Sequence, residues 1–389
     1  MKMNCIGLDL GTGTIKGVLW NPADGIISSG KRTVPLQRPR ENFVEIDPQC
    51  YFDTLYSLLK ELAEKSTSPI EGIAFAAASG NTLLCDENGN AQTQIISWLD
   101  KRIDWMPPED WNVFAVTGWP AMKAFPLAHL EYFKRTRPEL TGKSFFAMNN
   151  DWAAWKLTGK HKLDHSNAVT SQLQNVRKKR YEQKYLDYYA LDLEHLPELV
   201  STGDEIGSLK AEYCCGNLTC DTKVFAGSFD HPAAARATGV LTPDDMLLSC
   251  GTSWVGFQPI PAETEVVKGE LYDPFQSNGG KYAAKMFSLA AVGIEIENFI
   301  KEHYGNAPDA YDRFNSDPEA LPLMQSIVDR ITEKILRAAP KRIVMTGGPS
   351  EGAAWRKLLL AKLPALEFSP QQSFAGAVGA AMIAKGVIK

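Results

Sequence analysis

The chain has 389 residues, of which 41 are Lys or Arg and 46 are Asp or Glu, giving a formal net charge of −5. That length allows two domains with well-buried cores, and the slight acidic surplus argues against a nucleic-acid partner, which shows itself as a basic excess. No stretch approaches the ~18 consecutive apolar residues of a membrane-spanning helix, and the N-terminus runs straight into a strand carrying Asp9, unlike a signal peptide.

In chain order, Ile6–Trp20 comes first. Ile6, Leu8 and Leu10 alternate as in a strand buried on one face, and Asp9 is its single charge. Gly11-Thr12-Gly13-Thr14 follows, and alternation resumes from Ile15 to Trp20. Asn21-Pro22-Ala23-Asp24-Gly25 then supplies turn chemistry before Ile26-Ile27. The pattern predicts a β-meander. A dinucleotide-binding glycine loop would have to open a helix and be followed by an acidic residue for the ribose. Here β-branched and apolar residues follow, and residues 33–40 contain no acid. A hairpin turn offering backbone N–H groups and Thr hydroxyls to phosphates accounts better for the glycines. Asp9 beside it suits a water-held Mg²⁺. An ordinary Gly-Thr turn with an exposed Asp explains the motif equally well when it is taken alone.

Asp47-Pro48 starts a helix, and Tyr51, Leu55, Leu58, Leu59 and Leu62 recur at helical spacing. Ile70–Ala78 reads as a buried strand ending at Ser79-Gly80-Asn81. Leu83–Cys85 and the turn Asp86–Asn90 predict a hairpin, with Ile95-Ile96-Ser97-Trp98 after it and Asp100 and Arg102 just beyond. Residues 107–190 read as helical and irregular, with Trp111, Trp119, Trp152 and Trp155 expected in the core. The Arg177–Arg180 cluster is expected on a solvated face.

Seven cysteines, Cys5, Cys50, Cys85, Cys214, Cys215, Cys220 and Cys250, show no framework spacing, which suits a reducing cytoplasm. Cys214, Cys215 and Cys220 cluster without a CxxC pair, so they are expected as buried small hydrophobes rather than zinc ligands.

Val224–Gly227 is a strand running into Ser228-Phe229-Asp230-His231, and a small-residue helix follows from Pro232. Met246–Cys250, Gly251-Thr252-Ser253 and Trp254–Phe257 repeat the strand, Gly-Thr turn and strand of the opening. Arg342–Thr346 is a strand ending in Gly347-Gly348-Pro349-Ser350, with a helix from Ala353 to Leu363. Gly376–Ala384 is a helix of small residues suited to close packing. The repeated hairpin places a domain boundary near residue 240, giving domains 1–240 and 241–389.

These stretches together resemble the FGGY carbohydrate kinases of the actin-like ATPase superfamily. Asp9-Leu10-Gly11-Thr12-Gly13-Thr14 with Lys16 is similar to that family's first phosphate motif. Trp98-Leu99-Asp100-Lys101-Arg102 resembles its Trp-x-Asp-x-Arg sugar-site motif. Trp152–Thr158 with Asp164–Val169 resembles the Leu-x-Gly and Asp-x-Ser-x-Ala region. Ala226–Ala234 resembles the stretch carrying the catalytic Asp, Ser249–Ser253 the second phosphate motif, Gly347–Trp355 the adenosine motif, and Ala375–Ala381 the closing helix. The sequence also departs from the family. The segment between Cys250 and Gly347 is short, Asn81 passes straight to Thr82-Leu83 without the usual Met-His or Arg-Glu pair, and Pro349 and Glu351 interrupt the adenosine motif.

The resemblance implies two α/β domains of the actin-like, ribonuclease H-like fold with a nucleotide and sugar cleft between them. It implies ATP-dependent phosphorylation of a ketose or polyol in the cytoplasm, with ATP and Mg²⁺ as cofactors, and it leaves room for a homodimer. Asp9 is then the metal residue. Gly11, Thr12, Gly13, Thr14 and Lys16 with Gly251 and Thr252 hold phosphates, and Gly347, Gly348 and Ser350 line the adenosine site. Asn81, Trp98, Asp100 and Arg102 form the sugar wall, and Asp230 is the general base. Asp230 also reads as a helix N-cap. His231 either contacts sugar or faces away, and Asp100 with Arg102 reads alternatively as a surface ion pair. A degenerate member that binds sugar or nucleotide without phosphotransfer is the competing function.

Overall fold

The computed structural model describes residues 3–387 apart from Ser79, Thr252, Ala290, Ala291 and Asn306. It divides into two compact units. The first runs through Ala233 and adds Tyr272–Pro274 and the closing segment from Gly376. The second holds Ala234–Leu271 and Phe275–Ala375. The expected boundary near 240 thus falls a few residues late, and the closing helix, expected in the second domain, packs with the first.

The first unit is built on a six-stranded sheet of β1 (Asn4–Leu10), β2 (Thr14–Asn21), β3 (Gly25–Thr33), β4 (Ile70–Ala77), β5 (Glu205–Ser208) and β6 (Lys223–Phe229), in the order β5-β6-β4-β1-β2-β3. β1, β2 and β3 form the antiparallel meander that the alternation predicts, and β4 and β6 add in parallel. The helix Pro48–Glu64 begins where Asp47 accepts a 2.8 Å hydrogen bond from the Cys50 N–H. Its Leu55, Leu58, Leu59 and Leu62 are fully buried, each contributing about 1.5–3 kcal/mol. They pack close because Gly17 carries no side chain: a Cβ there would sit 2.8 Å from Leu62. Trp111, Trp119, Trp152 and Trp155 are core residues, as expected.

A smaller sheet orders Glu45–Ile46, Ile95–Ile96, Thr82–Cys85 and Phe145–Met148. The chain turns back at Asp86–Asn90 as expected, with Cys85 bridging Ala91 and Thr82 pairing antiparallel with Ile96, and Phe145–Met148 pairs with Thr82–Cys85 along its other edge.

The second unit repeats the first sheet's plan. β7 (Asp245–Cys250), β8 (Trp254–Pro261), β9 (Leu271–Gln276), β10 (Tyr282–Leu289), β11 (Arg342–Thr346) and β12 (Leu366–Phe368) run in the order β9-β10-β8-β7-β11-β12. Three antiparallel strands, β10-β8-β7, continue into two parallel ones, β11 and β12, just as β3-β2-β1 continues into β4 and β6. The helix Leu321–Ala338 buries Ile327, Val328, Ile331 and Ile335 in this unit's core.

The closing helix Ala375–Lys385 lies against β1. Glycine makes that approach feasible. A Cβ on Gly7 would come within 1.9 Å of the Ala377 carbonyl oxygen, and one on Gly379 within 1.9 Å of the Ala233 oxygen.

Candidate active site

Asp9 and Lys16 are direct cross-strand partners one step back from the first hairpin's closing pair, Leu10 and Ile15, so their side chains leave the same face of the sheet. The second residue of the closing helix, Gly376, faces Asp9: a Cβ there would stand 2.8 Å from Asp9 Oδ2. Only glycine lets the carboxylate rest against this helix start, where the partial positive charge of the helix end favours an anion. The sequence marked this glycine for close packing and missed its neighbour.

Asp230 is the first residue of the helix Asp230–Ala237, which continues directly from β6. The expected N-cap is therefore shifted: the residue is already helical, and its Oδ1 accepts from the adjacent His231 N–H at 2.7 Å. Its side chain is 29% exposed and so retains an opening to solvent. Burial pushes the Asp230 carboxyl up to about 7, against the opposing pull of its backbone hydrogen bonds and Lys16. Burial and the Asp230 charge push Asp9 up to about 7 as well, while Lys16 and His231 act the other way. His231 has its Nδ1 3.7 Å from Asp230 Oδ1 and its ring edge-on to Phe229. Burial drives its pKa down to about 4, so it is neutral at pH 7.

This donor set fits Mg²⁺. Burial, aided by the Asp230 charge, disfavours the ionised form of the Asp9 carboxyl, a penalty that a divalent cation would relieve. Among the described residues, the one cluster of three metal-type ligands is Asp192, Glu194 and His195, elsewhere in the unit. One or two carboxylates, completed by phosphates and water, is the usual way a protein holds Mg²⁺.

The end of β6 is anchored from behind. Phe229 N–H donates to Ser166 Oγ at 3.1 Å, and Ser166 donates to Asp273 Oδ2 at 2.6 Å. Asp164 caps the following turn by accepting from Asn167 N–H at 2.7 Å. Trp119 packs edge-on to Phe229 and donates Nε1–H to the Tyr272 carbonyl. The Asp164–Val169 stretch thus fixes the strand that presents Asp230, a role that local pattern did not reveal.

Around Trp98 the structure shows what each residue expected at the sugar touches. Trp98 is half-buried and bridges two segments: its backbone N–H donates to Asn81 Oδ1 at 3.1 Å, and its indole Nε1–H donates to Thr12 Oγ1 at 2.6 Å. Asn81 is 1% exposed and acts as the brace of that bridge. Asp100 is equally buried. It accepts from the Val44 N–H at 2.6 Å, and its two oxygens bind Arg102 through the backbone N–H, Nε and Nη2. Arg102 also pairs with Glu45 and lies over the Phe43 ring at 4.1 Å. Burial opposes the guanidinium charge, but the Asp100 and Glu45 carboxylates hold its pKa above the usual value. Asp100 and Arg102 are therefore an ion pair, as the alternative reading had it, but a buried one rather than one on the surface. Of the four predicted wall residues, Trp98 keeps an accessible face. His129, which the sequence did not flag, is wholly buried, its Nδ1 2.8 Å from Thr82 Oγ1.

In the first hairpin, Gly13 has open space around it, its carbonyl accepts from Val34 N–H, and Thr14 pairs with Thr33. Gly11 is tight, with a Cβ 2.7 Å from the Thr14 oxygen. In the second unit Gly251 is exposed, and Thr252 lies outside the described residues. Gly347 has φ +100°, and a Cβ there would be 2.0 Å from the Cys250 carbonyl oxygen, so the predicted adenosine turn abuts the second hairpin. Gly348 opens onto free space. Ser350 does not: it is 1% exposed and donates its hydroxyl to the Gly347 carbonyl at 2.6 Å, bracing the turn instead of lining it.

Residues 4–236 match the model of the FGGY family of carbohydrate kinases, N-terminal domain. The chain is 27% identical over 312 residues to a xylulose kinase of Lactococcus lactis, covering 77% of this chain and 61% of that protein. It is 26% identical over 222 residues to a probable glycerol kinase of Caenorhabditis elegans, covering 51% and 44%. The match to the Lactococcus relative thus spans only 61% of that protein's length. A ligand-bound xylulose kinase from Lactobacillus acidophilus superposes with a TM-score of 0.84 at 17% identity, covering 98% of this chain and 89% of that one. Plasmodium falciparum glycerol kinase with ADP gives 0.84 at 15% identity with the same coverage. These likenesses establish a fold of two actin-like α/β units.

Proposed function

Since the chain belongs to the FGGY family of carbohydrate kinases, we propose that it transfers the γ-phosphoryl group of ATP to a hydroxyl of a small sugar or polyol. Ketopentoses and ketohexoses such as xylulose, ribulose or rhamnulose are the candidate acceptors, with glycerol as the smallest. The observation that carries this reading is Asp230: a carboxylate at a strand-to-helix junction, still open to solvent, pushed up to about 7 beside Asp9 and Lys16. A general base works best with a pKa near the working pH.

In this reading Asp230 orients the acceptor hydroxyl and takes its proton as the new P–O bond forms. Lys16 and the N–H groups of Gly11, Thr12, Gly13 and Thr14 hold phosphate oxygens. Trp98 offers its exposed ring face to the sugar and fixes the Thr12 hydroxyl, whose own hydrogen is left to donate. Asp9 would hold Mg²⁺, which neutralises phosphate charge in such transfers. In the second unit, Gly251 and Thr252 grip phosphate, and the backbone at Gly347 and Gly348 receives adenosine. Asn81, Asp100, Arg102 and Ser350 support the surfaces that touch substrate.

A second reading, binding without transfer, is favoured by the match to only 61% of the Lactococcus relative. A coupled ADP-release screen over ketopentoses, ketohexoses, polyols and glycerol at saturating Mg·ATP separates the two. Sugar-dependent ADP with a matching phosphate ester is expected. Calorimetric binding of sugar and nucleotide with no ADP above background overturns the kinase in favour of the binder.

A further inference from the structure

Three thiols take no part in this chemistry. Cys214, Cys215 and Cys220 lie in the loop between the turn Ala211–Tyr213 and the start of β6. Cys215 and Leu218 exchange backbone hydrogen bonds of 3.1 and 2.9 Å, folding the loop back on itself. The loop is pinned to the unit on both sides of that fold. Asn217 Nδ2–H donates to the Ser66 carbonyl at 2.6 Å, and Thr222 Oγ1–H donates to the Ile70 carbonyl at 2.8 Å. The result lays Cys214 Sγ 3.3 Å from Cys220 Sγ. Cys220 is exposed and Cys214 and Cys215 are half-buried, so the three are not the buried small hydrophobes expected of them.

We propose that Cys214 and Cys220 form an oxidisable dithiol, a modification site whose substrate is a small hydroperoxide and whose product is an intramolecular disulfide. A disulfide bond is about 2.05 Å long, so the sulfurs need approach by little more than an ångström within a loop already folded to bring them together. The exposed Cys220 thiolate attacks a peroxide oxygen. The S–O bond forms, the O–O bond breaks, and the departing alkoxide, or hydroxide from hydrogen peroxide, takes up the thiol's proton as an alcohol or water. Cys214 Sγ then attacks the Cys220 sulfenic sulfur. The S–S bond forms, the S–O bond breaks, and hydroxide leaves with the Cys214 proton as water. The two sulfurs lose two electrons in total, and the peroxide gains them. Burial, together with the neighbouring Cys220, pushes the Cys214 thiol up to about 11, which suits the resolving role better than the attacking one. The loop enters β6 at Lys223, whereas Asp230 follows the opposite end of the strand, so the modification leaves the proposed base in place.

The test uses the full chain, reduced, treated with hydrogen peroxide, alkylated and cut with trypsin, which releases residues 211–223 as one peptide holding all three thiols. The expected peptide has lost two hydrogens and carries a single alkyl group, on Cys215. Cys215→Ser should still close the disulfide. Cys220→Ser should leave Cys214 and Cys215 both alkylatable. Cys214→Ser should stop at a sulfenic acid on Cys220 that dimedone captures. The coupled assay should give the same turnover before and after oxidation. Retention of all three alkylatable thiols under peroxide that consumes a free thiol standard overturns the proposal. So does a disulfide that survives Cys214→Ser and disappears in Cys215→Ser.

Discussion

In the first unit, β1 and β2 close on Leu10 opposite Ile15, with Asp9 and Lys16 one step back; in the second, β7 and β8 close on Cys250 opposite Trp254, with Ser249 and Val255 one step back. The backbone plan is the same, down to the parallel strand beside each first hairpin strand. The surroundings are not. Asp9 meets Lys16, Asp230 and the glycine at the start of the closing helix, and Thr12 is tied to Trp98. The second hairpin is backed by buried Cys250 and Trp254 and by the backbone of Gly347. The repeated fold supplies two such strand pairs, and the substitutions around them decide which one carries charge. On the proposed function, chemistry resides at the first hairpin, and the second grips the nucleotide through its backbone.

The strongest way to break this division is to remove the base. Asp230→Asn keeps the size and the hydrogen bond from His231 N–H but cannot take a proton. With an acceptor sugar found, kcat should fall by ~10²–10⁴, while calorimetric affinity for ATP and sugar stays within a few-fold. A mutant turning over at the wild-type rate would move the chemistry away from the first unit.

The second hairpin should instead fail through its backbone. Gly347→Ala places a methyl 2.0 Å from the Cys250 carbonyl at φ +100°, so a loss of roughly 2–5 kcal/mol of stability is expected in denaturant titration. Gly348→Leu meets open space. Its melting temperature should hardly move, but the KM for ATP should rise while that for sugar does not. Equal effects of the two substitutions on stability would mean that the Gly347 turn is looser than the close contact implies.

Both hairpins, the strands around them and the buried face of the Pro48–Glu64 helix were legible in the sequence, because alternation, helical spacing and Gly-Thr turns are local signals. The positions of Asp9 beside the first turn and of Asp230 at a strand-to-helix junction were legible too, whereas Lys16 came only with the resemblance. The burial of Asp100 and Arg102 was not legible because their partners, Val44, Glu45 and the Phe43 ring, lie more than fifty residues away in sequence. The partners of Ser350 and Asn81 are closer in sequence, Gly347 and Trp98, but a short polar side chain at a turn looks alike whether it faces a ligand or its own backbone. Gly376 beside Asp9 joins the two ends of the chain, and no spacing rule reaches that far.

The Trp98 bridge sharpens the comparison at smaller magnitude, since the second hairpin shows no indole bound to it among the described residues. Trp98→Phe keeps the ring and removes one neutral hydrogen bond, worth about 0.5–1.5 kcal/mol. The KM for ATP should rise two- to tenfold. Thr12→Val removes the same bond from the other side, so the double variant should cost less than the sum of the two. Strict additivity in steady-state kinetics would show that Trp98 and Thr12 act separately.

The smallest effect has the most distinctive sign. Burial, aided by Asp230, holds the Asp9 carboxyl up to about 7 in the folded chain, against an ordinary 3.8. Between those values the folded state keeps a proton that the unfolded state has released. The stabilising contribution of this group is therefore complete below its unfolded pKa and is lost as the pH rises through about 7. At about pH 8 the ionised Asp9 opposes folding, and Asp9→Asn removes that opposition. The metal-free variant should thus melt a few degrees above wild type at that pH, with the gap closing as the pH falls toward the ordinary carboxylate range. Adding Mg·ATP should reverse the order, because wild type gains stability by binding the nucleotide and the variant gains less. Ser249→Ala, the same position in the second hairpin, should show neither the pH-dependent gap nor the reversal. Differential scanning of the three proteins with and without Mg·ATP reads all of this directly. If Asp9→Asn is less stable than wild type at every pH without nucleotide, Asp9 is a structural residue, and the first hairpin holds no more functional charge than the second.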